Sequence, residues 1–425
     1  MSTMDVYIHR DAVGLSQHLL CQANTGKILK VKDLPDTPLI YGMKSLNEVA
    51  ELHAIPLPPF PPPAHAAALQ TALAGQDVPS IPWSLTMPSS AFVEAVKGLG
   101  KYLIDHFSSL DLTYYQTHYQ QTWDVFEQMR PAKIDPMAWK VFGEDPKATA
   151  VIRSFEPDQL GFAQEVVYSR STKTGRMKVV SGPQILALQE SKHSLVTSRF
   201  GKEGKVFSLD FRSLEPRVAL ALGNPSTIST NPPFPSPSGY LPLPPTPTPS
   251  DDLYADIAKK LGIQDISRDV MKEVILSQLY GAGQETIISR LHSVRDAEGL
   301  IDLVTDYFKL TEMKARLRAE NEANGRTHIL NHYGRWVDTS HADDYMLLNY
   351  FIQSTAVDVA LYGFKNMLQA IGTNPLIVPL FLRHDEIVLD VHRDAEALLP
   401  SLCAAGSRNI PLFPGVSFSL GISRF

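Results

Sequence analysis

Apolar and polar positions follow two different periods along this chain, and proline-rich stretches separate them. From Ala91 to Asp105, and again from Thr113 to Gln128, apolar side chains recur in steps of three and four, which predicts amphipathic helices. The second of these is rich in Tyr and Gln. Val206 to Asp210 (VFSLD) is a short apolar run of strand type. The next segment, Ser213 to Leu222, predicts a helix with Ser213 as N-cap and Pro216 in the first turn, where proline is tolerated. Ser267 to Tyr280 predicts another helix, stopped by Gly281 and Gly283. Near the end, LIVPLFLR and IVLDV are two apolar arms around His384, Asp385 and Glu386, a pattern that predicts a hairpin. Three segments have neither period: Ile55 to His65, Val78 to Pro88, and Asn224 to Asp252. Proline fixes its own φ and lacks an N–H, so these read as connectors or surface excursions.

Composition narrows the class without naming a function. The chain has 425 residues, 44% hydrophobic and 20% charged, enough for two or three packed sub-domains. No apolar run reaches the roughly 18 residues of a membrane-spanning helix. The start, MSTMDVYIHRD, lacks a secretory pattern, so the expectation is a cytoplasmic protein of a bacterial or phage-infected cell. Cys21 and Cys403 are the only cysteines, which excludes a disulfide scaffold and a thiolate zinc site. A net charge of −6 does not mark a nucleic-acid binder. Between Arg170 and Lys205, however, eight Lys and Arg stand against Glu190 and Glu203. That stretch reads either as a phosphate-binding surface or as a solvated charged loop.

Two acidic sites and one cationic helix carry the candidate chemistry. Asp210 ends an apolar strand, and Asp385 and Glu386 occupy the tip of an apolar hairpin. A carboxylate beside such arms is costly unless it is paired, solvated or bound to a cation. Carboxylates gathered from separate strand ends suit hard divalent ions, two of which can serve an in-line displacement. Taken singly, either aspartate reads more readily as a turn residue or cap than as a ligand. On the helix after Ser267, Arg268, Lys272, Leu276 and Tyr280 lie four apart and drift only about 40° per step. This stripe suits a nucleoside triphosphate, or else a solvated face.

These residues resemble a known family. SLDFRSLEPRVAL is similar to motif A of family A DNA polymerases, the bacterial DNA polymerase I type, and SRDVMKEVILSQLYGAG to motif B. LRHDEIVLDV is similar to motif C, STKTGRM to the element upstream of motif A, and NYFIQSTAVD to the helix before motif C. All occur in the family's order, over roughly Glu127 to Phe425. The resemblance implies an α+β right-hand fold with an antiparallel palm sheet, helical fingers and a helical thumb. It implies two Mg2+ ions, with Mn2+ as a substitute, on Asp210, Asp385 and the carbonyl of Phe211. Glu386 would lie beside the primer end. Arg268, Lys272, Leu276 and Tyr280 would meet the incoming nucleotide, with Lys272 also protonating the leaving pyrophosphate. Glu215 would exclude a 2′-hydroxyl, and Arg217 matches the motif A arginine. Arg176, Asn349, Gln353 and His384 would contact DNA. Primer–template DNA and dNTPs are the implied partners.

The resemblance also implies an organisation of the chain. Residues 1–90 are an accessory region of unassigned role, and 91–200 hold the thumb and the start of the palm. Residues 201–224 are palm, 225–252 the proline-rich insertion, 253–339 fingers and 340–425 palm. A replication partner could dock on the N-terminal region or the insertion. No Asp-x-Glu occurs before residue 150, and the stretch before Glu127 is short for an exonuclease domain plus a thumb, so proofreading is expected to be absent. Leu276 stands where the family usually has Phe or Tyr, and Tyr345 where it often has Arg. An RNA-synthesising relative and a non-catalytic DNA-binding assembly factor are the alternatives; Glu215 argues against the first and intact Asp210, Lys272 and Asp385 against the second.

Overall fold

The computed structural model describes residues 5–32, 40–41, 44–57, 65, 83–108, 110–223, 252–263, 266–291 and 294–425. The proline-rich segments expected at 55–65 and 224–252 therefore lie largely outside the described residues, whereas 83–88 of the segment expected at 78–88 are described and open on a short helix, Trp83–Thr86, with Trp83 buried, instead of a plain connector. The chain forms two compact units, Met1–Trp123 and Asp124–Phe425. Residues 91–123, grouped above with the thumb, thus cluster with the N-terminal unit. Among the described residues no helix is long and apolar enough to cross a membrane.

The first unit is built on a four-stranded sheet. Its order is Ile28–Val31, His18–Cys21, Val6–Ile8, Ile40–Tyr41, with the last strand parallel to Val6–Ile8 and the other pairs antiparallel. The helix expected from Ala91 runs over Ser89–Phe107 and buries Val96, Leu99, Leu103 and Phe107. The helix expected at 113–128 is not one regular helix. It is π-wound over Tyr115–Tyr119, α-helical at Gln120–Thr122 and 3-10 over Trp123–Gln128. Tyr114, Tyr115 and Tyr119 are all buried, and the wider π turn lets neighbouring rings share one interior, which an amphipathic stripe cannot do.

The second unit is organised by an antiparallel sheet in the order Ile377–Arg383, Glu386–His392, Gly204–Phe211, Leu420–Arg424. The two apolar arms do form the hairpin. Pro379 sits in the edge strand, beside a register shift, where a missing donor costs least. Beneath the sheet lies the 25-residue helix Leu347–Ile371, packed on Leu214–Gly223 and Leu399–Gly406. Gly363 of that helix is the point of closest approach. A Cβ there would collide with the Phe211 ring and come within 2.7 Å of the Gly406 carbonyl. Phe211 is itself buried against Phe364, so the strand end carrying Asp210 rests directly on this helix.

Gly363→Ala should therefore destabilise the second unit by about 1–3 kcal/mol through overpacking. Gly98→Ala, in the open middle of Ser89–Phe107, should stabilise its unit by roughly 0.5–1 kcal/mol. Denaturant unfolding of the two variants checks both signs, and equal effects would contradict the packing described.

Candidate active site

The register of the second sheet assembles the acidic residues. Glu386 pairs directly with Asp210, and the amide of Phe211 donates to the Asp385 carbonyl at 3.1 Å. His384 takes φ 57° to make the hairpin turn, a left-handed conformation uncommon for a non-glycine residue. Asp210 is solvent-accessible along one edge, yet its carboxyl is pushed up to about 7, first by burial among protein atoms and then by Asp385 and Glu386. Burial and neighbouring acids push Asp385 up to about 6. Glu386 is also raised by burial, against a hydrogen bond from Ser208. Three carboxylates that resist ionising together make a site short of positive charge. Among the described residues no group of three or more His, Cys, Asp or Glu forms a cation cage. Two carboxylates with open positions still fit Mg2+, which keeps waters and substrate phosphates rather than demanding an all-protein shell.

Beside the acids, a narrow cavity of about 40 Å³ is lined by Arg176, Glu215, Gln353, His384 and Asp385, with Leu214 and Ala356 among its apolar walls. Glu215 is its hub: it accepts from Arg176 Nη2 at 2.7 Å and from Tyr280 Oη at 2.6 Å. Burial and this carboxylate hold the Tyr280 phenol far above the usual range. Gln353 Oε1 accepts from Thr174 at 2.8 Å, tying the 347–371 helix to the loop that carries Arg176. Burial and the charges of Arg176 and Arg383 lower His384.

The helix expected at 267–280 spans Arg268–Leu279, with Ser267 as N-cap accepting from Val270 N and Tyr280 as C-cap. Lys272 is exposed and Leu276 half-buried on it. Arg268 reaches back to Asp252 at 3.1 Å and lies 5.3 Å from the Tyr254 ring centroid. Asn349 is half-buried near the start of the 347–371 helix.

Three of the expected features gain internal partners. Arg217 is only 5% exposed, and its Nε donates to the Arg212 carbonyl at 2.8 Å, so it braces the turn after Asp210. Ser213 has φ 53° rather than the extended backbone of an ordinary N-cap, and it is hydrogen-bonded to Tyr254. The basic stretch is mostly used internally. Arg170 is buried, Lys192 pairs with Asp145, Lys205 with Glu396, and Arg199 with the wholly buried Asp390. Lone cations in sequence gave no sign of these distant partners. Sequence reasoning also passed over Tyr254, Arg212 and Arg383. The last two were visible as charges placed within two residues of the candidate aspartates.

Comparison with known proteins bears on the fold. The fold is similar to that of a solved structure described as the POL domain of Pol1 from M. smegmatis in complex with DNA primer-template and dNTP. The TM-score is 0.54 at 13% identity, covering 100% of this chain and 95% of that one. In sequence, the chain is similar to a DNA polymerase of Mycobacterium phage D29, 32% identical over 126 residues. That match spans 29% of this chain and 20% of the phage protein's length. No family model matches the chain.

The raised carboxyls carry a pH signature. Asp210 and Asp385 bind protons more tightly folded than unfolded, so their contribution is fully present below about pH 4 and is lost as pH rises through 6 to 7. Asp210→Asn removes part of that loss. In chelator at about pH 8 it should be more stable than wild type by on the order of 1 kcal/mol, discounted for the solvent-facing edge of Asp210. The gap should close toward pH 4. Denaturation across pH checks this, and a variant less stable at pH 8 would contradict it.

Proposed function

We propose that this chain is a template-directed DNA polymerase that adds deoxynucleotides to a primer 3′-hydroxyl. The observation that carries the reading is the direct pairing of Glu386 with Asp210, with Asp385 at the adjoining turn and the Glu215 cavity beside it. In this reading the 377–392 hairpin, the Gly204–Phe211 strand and the helices beneath form the palm. Residues 253–339 form the fingers.

Asp210 and Asp385, with the Phe211 carbonyl, would hold two Mg2+ ions, or Mn2+ in their place. Such ions supply charge stabilisation for both the attacking and leaving oxygens of the displacement. The chain's own residues do the positioning on which phosphoryl transfer depends. Arg268 and Lys272 are cations one turn apart and suit a triphosphate lying along the helix. Arg268 would exchange its ion pair with Asp252 for phosphate oxygens. Lys272, exposed on the same helix, would deliver a proton to the leaving pyrophosphate. Tyr280 and Glu215 already touch, so a sugar entering the cavity meets a carboxylate where a 2′-hydroxyl would project. Arg176, Gln353 and His384, joined in the same cavity wall, suit minor-groove acceptors, which are degenerate and therefore compatible with copying any sequence. Extension without editing is part of this reading.

Primer extension tests the reading. With Mg2+ and dNTPs the protein should extend a primed template, and a 3′-mismatched primer should not be trimmed. Asp385→Asn should slow incorporation by roughly a thousandfold or more, and Lys272→Ala should slow it far more than it weakens duplex binding. Glu215→Ala should raise ribonucleotide use relative to deoxyribonucleotide use. Equal use of both sugars by the wild type, or full activity in Asp385→Asn, would overturn the assignment.

A further inference from the structure

One row of positions crosses all four strands of the second sheet. Arg383 stands opposite Glu386, Glu386 opposite Asp210, and Asp210 opposite Gly421. Directly paired residues project from the same face, and like charges so placed repel. The row therefore reads cation, anion, anion, then a position without a side chain. At that last position the missing side chain has a reason. A Cβ on Gly421 would come within 2.8 Å of Arg212 Nε, so the Arg212 side chain lies over the glycine and next to Asp210. The two carboxylates are bracketed by guanidinium groups at both ends.

Arg383 is held in place on its outer side as well. Its Nη1 lies 3.5 Å from Glu386 Oε2 and 3.5 Å from His193 Nε2, with only 19% of its side chain exposed. His193 stacks on Phe425, ring centroids 3.8 Å apart and nearly parallel at 10°, and the Phe425 amide donates to the Val206 carbonyl at 3.0 Å. Burial and the Arg383 charge keep His193 below its ordinary range, so its ring can accept from the guanidinium. The Arg383 contacts are at the long limit of a hydrogen bond, as suits a charge that balances a cluster more than it binds one oxygen.

We propose that Arg383 and Arg212 are positioning residues, permanent counter-charges that hold the Glu386–Asp210 pair together without a divalent cation and moderate how tightly one binds. The inference rests on the metal reading of Asp210 and Asp385 given above. An arginine stays charged throughout the pH range of activity, whereas a catalytic cation comes and goes with substrate. Removing a fixed charge beside the site strengthens its attraction for a divalent ion and exposes the metal-free state to unrelieved repulsion.

The test uses the full chain without DNA, Mn2+ as the probe, and thermal unfolding in chelator or Mg2+. Arg383→Met should bind Mn2+ roughly three- to tenfold more tightly than wild type. It should also melt lower in chelator and recover on adding Mg2+. Arg383→Lys, which keeps the charge, should stay within about twofold of wild type in Mn2+ affinity. Gly421→Ala, which displaces Arg212, should shift Mn2+ affinity in the same direction as Arg383→Met. Unchanged or weaker Mn2+ binding by Arg383→Met overturns the proposal, as does a melting loss that is equal with and without Mg2+. If the wild type itself fails to bind Mn2+, the metal reading falls and takes this inference with it. Wild-type binding with an unaltered variant overturns this inference alone.

Discussion

The antiparallel register between Gly204–Phe211 and Glu386–His392 is the constraint on which the site depends. Side chains alternate faces along a strand, so a slip of one residue would send Asp210 and Glu386 to opposite sides. The register is pinned from several directions. Ile387, Val388 and Leu389 are fully buried, as is Leu209 on the facing strand. The Phe211 amide closes onto Asp385, and the outer strand Leu420–Arg424 pairs along the other edge of Gly204–Phe211. The apolar arms thus hold in place charges that would leave each other if they could.

Packing and electrostatics meet at one strand end. Phe211 faces down onto the long helix, where Gly363 makes room for it, while its neighbour Asp210 faces the acidic row. The same helix contributes Gln353 and Ala356 to the cavity that holds Glu215, so the floor of the core and the wall of the site are one element. Glu215 in turn links Arg176, from the loop before the sheet, to Tyr280, from the helix after Ser267. Three stretches far apart in the chain are joined at one carboxylate. A displacement of Tyr280 would therefore be felt at Arg176 through the shared carboxylate.

Much of this was legible in the sequence because it depends on short-range pattern. The VFSLD strand, the helix after Ser267 with its serine cap, and the hairpin around His384–Glu386 follow from periodicity and turn chemistry. What was not legible depends on partners distant in the chain. Arg170 and Arg199 resembled surface cations until Asp390 and the buried interior claimed them. Arg217 gave no sign in the sequence that its Nε would donate to the Arg212 carbonyl. Residues 113–128 carry a helical period, but burying three tyrosines changes the winding. The role of Arg383 needs the row across four strands, and no local window contains all of its members.

The most direct test is where divalent ions sit when primer, template and nucleotide are bound. A crystal of the protein with Mn2+, a dideoxy-terminated primer–template and the matching dNTP allows anomalous scattering to locate them. Two peaks about 4 Å apart, both within ligand distance of Asp210 and Asp385, are the expected result. Peaks that avoid these aspartates, or an ordered nucleotide with no metal beside them, would contradict the account.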